Sequence, residues 1–170
     1  DGQLGKDNTN PSGSLPGSMG NSLSFVFLGA GRTAKQVSAG GYHTCAILDD
    51  DSLKCWGLNQ KGQLGLDDTT NRGHTSGPNS MANPLAVVNV GAGRFATQVS
   101  AGQMHTCVVL DNATAKCWGE NTYYQIGDGS NSDRGDGGEM AALPALNFGG
   151  PTTVSIYAGG RFTHAIMSDG

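Results

Sequence analysis

Residues 39–65, AGGYHTCAILDDDSLKCWGLNQKGQLG, return almost intact at 101–127 as AGQMHTCVVLDNATAKCWGENTYYQIG. The ends of this unit occur twice more. Gly2-Gln3-Leu4-Gly5 repeats its tail, and Ala158-Gly159-Gly160 begins it again. Cys45 and Cys107, Trp56 and Trp118, and Gly31 and Gly93 keep one spacing, while the outer copies drift around a period of about 60 residues. A constant unit joined by connections of variable length is the signature of a solenoid or a propeller, and it limits the folds open to the chain more than any single motif does.

Each unit reads as β-structure. HTCAIL and SLKCW are short runs rich in β-branched, aromatic and Cys residues, separated by Asp49-Asp50-Asp51, a turn composition. In the second copy the turn is Asp111-Asn112-Ala113. A three-residue loop sets Cys45 opposite Cys55 and Ile47 opposite Leu53; its counterpart sets Cys107 opposite Cys117 and Leu110 opposite Thr114. Ala46, Leu48 and Trp56 then point away from Cys45, Ile47 and Leu53, so the hairpin is apolar on both faces. Such a sheet must be covered on both sides, as stacked propeller blades are.

At these residues the chain resembles the repeat of the regulator of chromosome condensation family, which carries Gly-x-x-His, a short hairpin, Trp-Gly-x-Asn and Gly-Gln-Leu-Gly. The matches are Gly40 and His43, Trp56, Gly57 and Asn59, then Gly62, Gln63, Leu64 and Gly65. The second copy keeps Gly102 and His105, Trp118, Gly119 and Asn121, then Gln125, Ile126 and Gly127. It departs at Tyr124, where the family has Gly. At the third start Phe162 replaces His, and His164 replaces Cys. The resemblance implies an all-β fold of four-stranded antiparallel propeller blades, seven in a complete ring, with these residues in structural roles.

With 170 residues, about three repeats cannot close a ring whose blade number is typically ~4–8. The expectation is one propeller segment, 1–170, of a longer polypeptide: the end of one repeat at 1–36, repeats at 37–98 and 99–153, and the start of another at 154–170. A net charge of −4 with no Lys/Arg run argues against a nucleic-acid surface. No apolar stretch reaches about 18 residues, so no membrane span is expected.

Ser24 to Leu28 and Val87 to Val90 are strand candidates, each followed by Gly-Ala-Gly-Arg. The first copy, Gly29-Ala30-Gly31-Arg32-Thr33-Ala34, fits a dinucleotide fingerprint, which requires a helix next. The chain instead continues into a strand-like run, and a repeated turn explains both copies, so no cofactor is expected. The polar loops 66–84 and 128–142 vary most between copies and are the natural place for partner specificity. Asp128, Ser130, Ser132, Asp136 and Glu139 are spaced like positions 1, 3, 5, 9 and 12 of a calcium loop. Position 6 is Asp133 rather than Gly, so a solvated acidic loop is the plainer reading.

Facing cysteines in a hairpin lie within disulfide reach, which predicts Cys45–Cys55 and Cys107–Cys117. Paired cysteines persist in oxidising surroundings. Buried thiols are one alternative. Zinc held by His43, Cys45 and Cys55 is another, though it would need a second identical site at His105, Cys107 and Cys117. Each imidazole is expected to bond nearby backbone, and Trp56 and Trp118 to form inter-blade core. Asn112-Ala113-Thr114 is a glycosylation sequon on a hairpin turn, whereas Asn10-Pro11-Ser12 is disqualified by its proline.

The sequence therefore predicts a non-enzymatic extracellular or cell-surface propeller. It would be structural or protein-binding, engaging a protein partner or further copies in a surface assembly through its loops and blade ends. The alternative is an intracellular regulatory propeller such as a guanine-nucleotide exchange module, which fold analogy alone supports.

Overall fold

The computed structural model describes residues 1–83, 85–150 and 152–169. Pro84, which closes the first long loop expected from sequence, Pro151 and Gly170 lie outside the described residues. Among the described residues eight strands form three sheets. β1 (Ala34–Ala39), β2 (His43–Leu48) and β3 (Leu53–Gly57) make the first. β4 (Ala96–Ala101), β5 (His105–Leu110) and β6 (Ala115–Gly119) make the second, and β7 (Thr153–Ala158) with β8 (Thr163–Met167) the third. All pairings are antiparallel.

The β2–β3 and β5–β6 hairpins follow from their turns. Asp51 and Ala113 adopt φ of 65° and 60°, the left-handed residue that closes a three-residue loop. Leu48 and Leu110 donate to the carbonyls of Ser52 and Thr114 at 2.9 and 2.8 Å. That register places Cys45 across from Cys55 and Cys107 across from Cys117. β1, β4 and β7 each carry a register shift near their start, a bulge that re-aims the side chains after it.

Beyond β3 and β6, the fourth blade position is reduced to point contacts. Arg72 bridges Gly57 and Arg134 bridges Gly119. Val88 and Leu146 donate to the carbonyls of Leu53 and Ala115 at 2.9 and 2.8 Å. The two strand candidates, 24–28 and 87–90, are therefore extended segments rather than strands. A ladder needs successive backbone partners, and here side chains intervene: Lys54 Nζ takes the Leu28 carbonyl at 2.8 Å and Lys116 Nζ takes that of Val90 at 2.9 Å. After each, Gly29 and Gly91 open a turn closed by Arg32 N–H and Arg94 N–H. A strand follows each turn, so the helix that a pyrophosphate cradle needs is absent at these residues.

Both faces of each hairpin are covered, as their apolar pattern requires. Cys45, Ile47, Leu53 and Cys55 pack against Val108, Leu110 and Trp118 of the second sheet. Cys107, Val109, Ala115 and Cys117 pack in turn against Ile156 of the third. On the other side of the first sheet, Ala46, Leu48 and Trp56 are covered by Met81, Leu85, Val26 and Leu28. The sheets thus stack in order as propeller blades do, the disulfide face of one against the tryptophan face of the next. Full burial contributes about 1.5–3 kcal/mol for each large apolar side chain.

Candidate functional site at the blade junctions and turn face

Cys45–Cys55 and Cys107–Cys117 are disulfides, each with Cα atoms 4.1 Å apart, as at a non-hydrogen-bonded antiparallel pair. Neither pair retains a thiolate, so the zinc alternative at His43 and His105 lacks its sulfur ligands.

His43 is committed elsewhere, and not to backbone as its position after a glycine turn suggests. Its Nε2 meets Thr106 Oγ1 of the next blade at 2.7 Å. The Thr106 hydroxyl donates to the Gln63 carbonyl at 2.8 Å, so its oxygen accepts from His43, whose Nε2 must carry a proton. Trp118 Nε1 donates to the same carbonyl at 3.1 Å. The pattern recurs. Thr44 and Trp56 both donate to the Gln3 carbonyl at 3.0 Å, and Thr163 donates to that of Gln125 at 2.7 Å while facing His105 Nε2 at 3.1 Å. The Gln3 and Gln63 carbonyls each thereby serve a Thr and a Trp of the following blade, and the Gln125 carbonyl serves Thr163. Burial, reinforced by His105, pushes His43 down to about 4. Burial likewise lowers His105 to about 4, against the opposing Phe162 carbonyl.

The Gly-x-x-His spacing has a steric cause. A Cβ on Gly40 would lie 2.7 Å from His43 Cε1, and one on Gly102 would lie 2.5 Å from the Gly159 carbonyl oxygen. The imidazole folds back over its own glycine while the next blade's turn closes from the other side. At the third start the Phe162 ring takes the place above Gly159. Gly65 leaves room for the Trp118 indole, 2.6 Å from where a Cβ would stand, and Gly57 and Gly119 lie against the carbonyls of Tyr42 and Met104. Tyr124 stands at φ 61°, left-handed as Gly62 is at 71°. Gly62 abuts the Arg134 carbonyl.

A second junction device escaped the motif reading. Gln98 grips the backbone of Ile156 at both ends, Nε2 to the carbonyl at 3.0 Å and Oε1 from the amide at 2.9 Å. Gln36 does the same to Val99. Ser38 and Ser100 accept from the amides of Ala101 and Ala158, each at 2.9 Å. Gln and Ser recurring two apart at matching repeat positions were the available signal. Ser155 and Tyr157 occupy those positions in the third sheet, which therefore receives this clasp without offering it. Lys54 and Lys116 likewise recur at matching positions of β3 and β6, and burial lowers the pKa of the Lys116 ammonium.

Asn59 and Asn121 close the turns after each Trp-Gly. Their Oδ1 atoms accept from Leu64 and Ile126 amides, both at 2.9 Å, and their Nδ2 groups hold the loops at Asp68 and Ser130. Gln63 and Gln125 side chains accept from Lys61 and Tyr123 amides, both at 2.8 Å. Leu64 and Ile126 are buried, and Gly127 is exposed.

In the loop with calcium-like spacing, the Asp128 and Glu139 carboxylates face protein donors. Asp128 accepts from Ser130 and Arg134, and Glu139 from the amides of Gly135 and Gly137. Burial opposes the charge on Asp128, yet the Ser130 and Arg134 donors hold its carboxyl below the usual range. Among the described residues no group of three or more His, Cys, Asp or Glu could hold a metal ion, and no helix is long and apolar enough to cross a membrane.

Two ends of the blades remain open to contact. At one end the turns carry exposed Tyr42, Tyr123, Tyr124 and Phe162, with the Arg161 guanidinium 4.3 Å above the Tyr123 ring. The glycine turns Gly40, Gly102 and Gly159, with their neighbours, line a shallow depression. At the other end the hairpin tips expose Asp49, Asp50, Asp111 and Asn112.

Residues 34–63 and 96–125 match the regulator of chromosome condensation (RCC1) repeat, and so do residues 50–109. The chain is 30% identical over 139 residues to the ultraviolet-B receptor UVR8 of Arabidopsis thaliana, covering 76% of this chain and 29% of that protein. It is 33% identical over 99 residues to the human probable E3 ubiquitin-protein ligase HERC4, covering 58% of this chain and 8% of that one. The solved structure of human WBSCR16 superposes with a TM-score of 0.62 at 21% identity, covering 82% of this chain and 32% of that chain. Prp20p from Saccharomyces cerevisiae, described with its binding to Gsp1p and histones, superposes at 0.61 with 18% identity, covering 81% and 32%. The chain thus spans about a third or less of each of these proteins.

Proposed function

The chain belongs to the RCC1 repeat family, and from that premise we propose that it is a non-enzymatic, protein-binding propeller module of an extracellular or cell-surface protein. The observation that carries this reading is the bridged state of both cysteine pairs, with no free cysteine among the described residues. Disulfides of this kind persist where thiols are not continually reduced. His43 and His105 are committed to the junctions between blades, and the four cysteines to bridges within a blade. The turn face instead offers Tyr42, Tyr123, Tyr124 and Phe162 beside Arg161, residue types enriched at protein interfaces. A protein partner, or further copies of the chain in a surface assembly, would engage that face and the variable loops.

The test is a thiol count on the parent protein, alkylated inside its own cells before lysis. Unlabelled Cys45, Cys55, Cys107 and Cys117 support the reading. Labelling of all four sinks it.

A second reading draws on Prp20p and its binding to Gsp1p: an intracellular regulatory propeller that accelerates nucleotide release from a small GTPase. It requires labelled thiols in the same experiment, together with faster nucleotide release from a candidate GTPase.

A further inference from the structure

We propose that Asn112 carries an N-linked glycan, attached through Nδ2 at the tip of the second hairpin. The proposal rests on the oxidising, extracellular reading given above. Asn112 is exposed and lies in Asn112-Ala113-Thr114, the acceptor pattern for transfer onto asparagine. Its side chain has two distinct ends. Oδ1 accepts from the Thr114 amide at 3.3 Å and the Thr114 hydroxyl at 2.8 Å. Nδ2 makes no hydrogen bond among the described residues, so the nucleophilic end is the one turned to solvent.

The matching turn of the first blade shows that Nδ2 has no structural task. There Asp50 occupies the equivalent place and accepts from Ser52 N at 3.2 Å and Ser52 Oγ at 2.7 Å. A carboxylate holds this turn as well as an amide does, so the amide nitrogen can be substituted without loss of the hairpin. Ala113 ties the tip to the third sheet by accepting from the Thr153 amide at 2.9 Å, and that bond involves backbone only.

In the transfer, Nδ2 attacks C1 of an oligosaccharide linked to a lipid diphosphate. A carbon–nitrogen bond forms, the carbon–oxygen bond to the diphosphate breaks, the lipid diphosphate departs, and Nδ2 gives up one proton. β5 separates this tip from the turn face by about 20 Å at roughly 3.4 Å per residue. A glycan here would cover the hairpin-tip end and leave Tyr42, Tyr123 and Phe162 accessible, directing partners to the turn face.

The experiment is peptide mass analysis of the parent protein from its native source, with and without N-glycosidase, alongside the oxidation state of Cys107 and Cys117. The expected result is a hexose-containing mass increment on the peptide containing Asn112 that the enzyme removes. Produced through a eukaryotic secretory pathway, Asn112→Asp and Thr114→Ala should each lose the increment, with Asn112→Asp keeping the parent's thermal midpoint. Asp50→Asn, which places the acceptor pattern on the first tip, should gain a second increment. An unmodified Asn112 beside a bridged Cys107–Cys117 overturns the glycan alone. An unmodified Asn112 with free thiols overturns it together with the reading beneath it.

Discussion

His43 and Thr106 belong to different blades and meet at 2.7 Å, with the threonine hydroxyl already directed at the Gln63 carbonyl. The imidazole enters this arrangement as a donor through Nε2, and burial keeps it neutral. Protonation adds a charge inside the blade junction, at a site where burial and His105 hold His43 down to about 4. The unfolded chain binds its proton at an ordinary 6.5. Between these values the unfolded state holds more protons, so stability rises with pH there.

Stability should therefore hold above pH 6.5 and fall as pH drops toward 4, with His105, which burial also lowers to about 4, contributing in the same direction. The gap between about 4 and 6.5 corresponds to about 3 kcal/mol at 1.36 kcal/mol per tenfold change. Urea unfolding at pH 7.5, 5.5 and 4.5 measures it. His43→Asn should weaken the junction yet reduce the acid slope to the share His105 supplies, and an unchanged slope in that variant would contradict the assignment.

The Gln98 clasp makes a separate prediction. Ile156 is fully buried, and its amide and carbonyl both bond the Gln98 side chain. Gln98→Ala strands two backbone groups away from water and should cost about 2 kcal/mol. If the junction opens locally, exchange of the Ile156 amide should quicken about thirty-fold, since 1.4 kcal/mol is tenfold. Gln98→Glu can still accept from the amide but presents an anion to the carbonyl, so it should fall no closer to the parent than the alanine variant. Parent-like protection of Ile156 in Gln98→Ala would remove the clasp as a stabilising contact.

How much of this was readable in the chain depends on the distance over which each residue acts. The register of the hairpins, Cys45 to Cys55 and Ile47 to Leu53, follows from a three-residue turn and needs nothing beyond local spacing. The apolar character of both faces likewise requires stacked sheets, and the sheets stack. What motif reading leaves out acts between blades. The imidazole of His43 bonds a threonine 63 positions away, and Gln36 reaches backbone at the same separation. No local periodicity marks such a partner. Recurrence alone does, and Gln36 with Gln98, Ser38 with Ser100, and Thr44 with Thr106 and Thr163 all recur. The strand candidates at 24–28 and 87–90 mislead for the opposite reason. Their composition is β-like, but Lys54 and Lys116 occupy carbonyls that a ladder would use.

The disulfides stabilise chiefly through the unfolded state. Each joins residues 10 apart in sequence, so the closed loop is short and the chain-entropy contribution is about 2–3 kcal/mol per bridge. Replacing Cys107 and Cys117 together by alanine should lower stability by about that amount, with further loss from packing against Ile156. Because the turn at Asp111 to Ala113 sets the register by itself, the hairpin should persist. Cross-strand nuclear Overhauser contacts between Val109 and Ala115 in the double variant would show it, and their disappearance would mean the bridge sets the register.

Gly102 tests whether the histidine motif is steric in origin. Its φ is not left-handed, so alanine there carries no backbone penalty. The added Cβ would nevertheless lie 2.4 Å from His105 Cε1 and 2.5 Å from the Gly159 carbonyl oxygen. The imidazole could rotate away only by giving up Thr163, and the carbonyl belongs to the backbone of the next blade, where it accepts from Gln103 N–H at 3.1 Å. Overpacking of this kind costs about 1–3 kcal/mol, and the lost histidine bond adds to it, so Gly102→Ala should destabilise by about 3 kcal/mol. Gly127→Ala provides the comparison: its φ is 79°, but nothing lies within 4 Å of its Cβ position, leaving only left-handed strain of about 1 kcal/mol. Displacement should also return His105 toward water and raise its pKa from about 4, a change visible in the imidazole proton shifts. If the two alanine variants prove equally stable, conformational freedom rather than contact explains the glycine before each histidine.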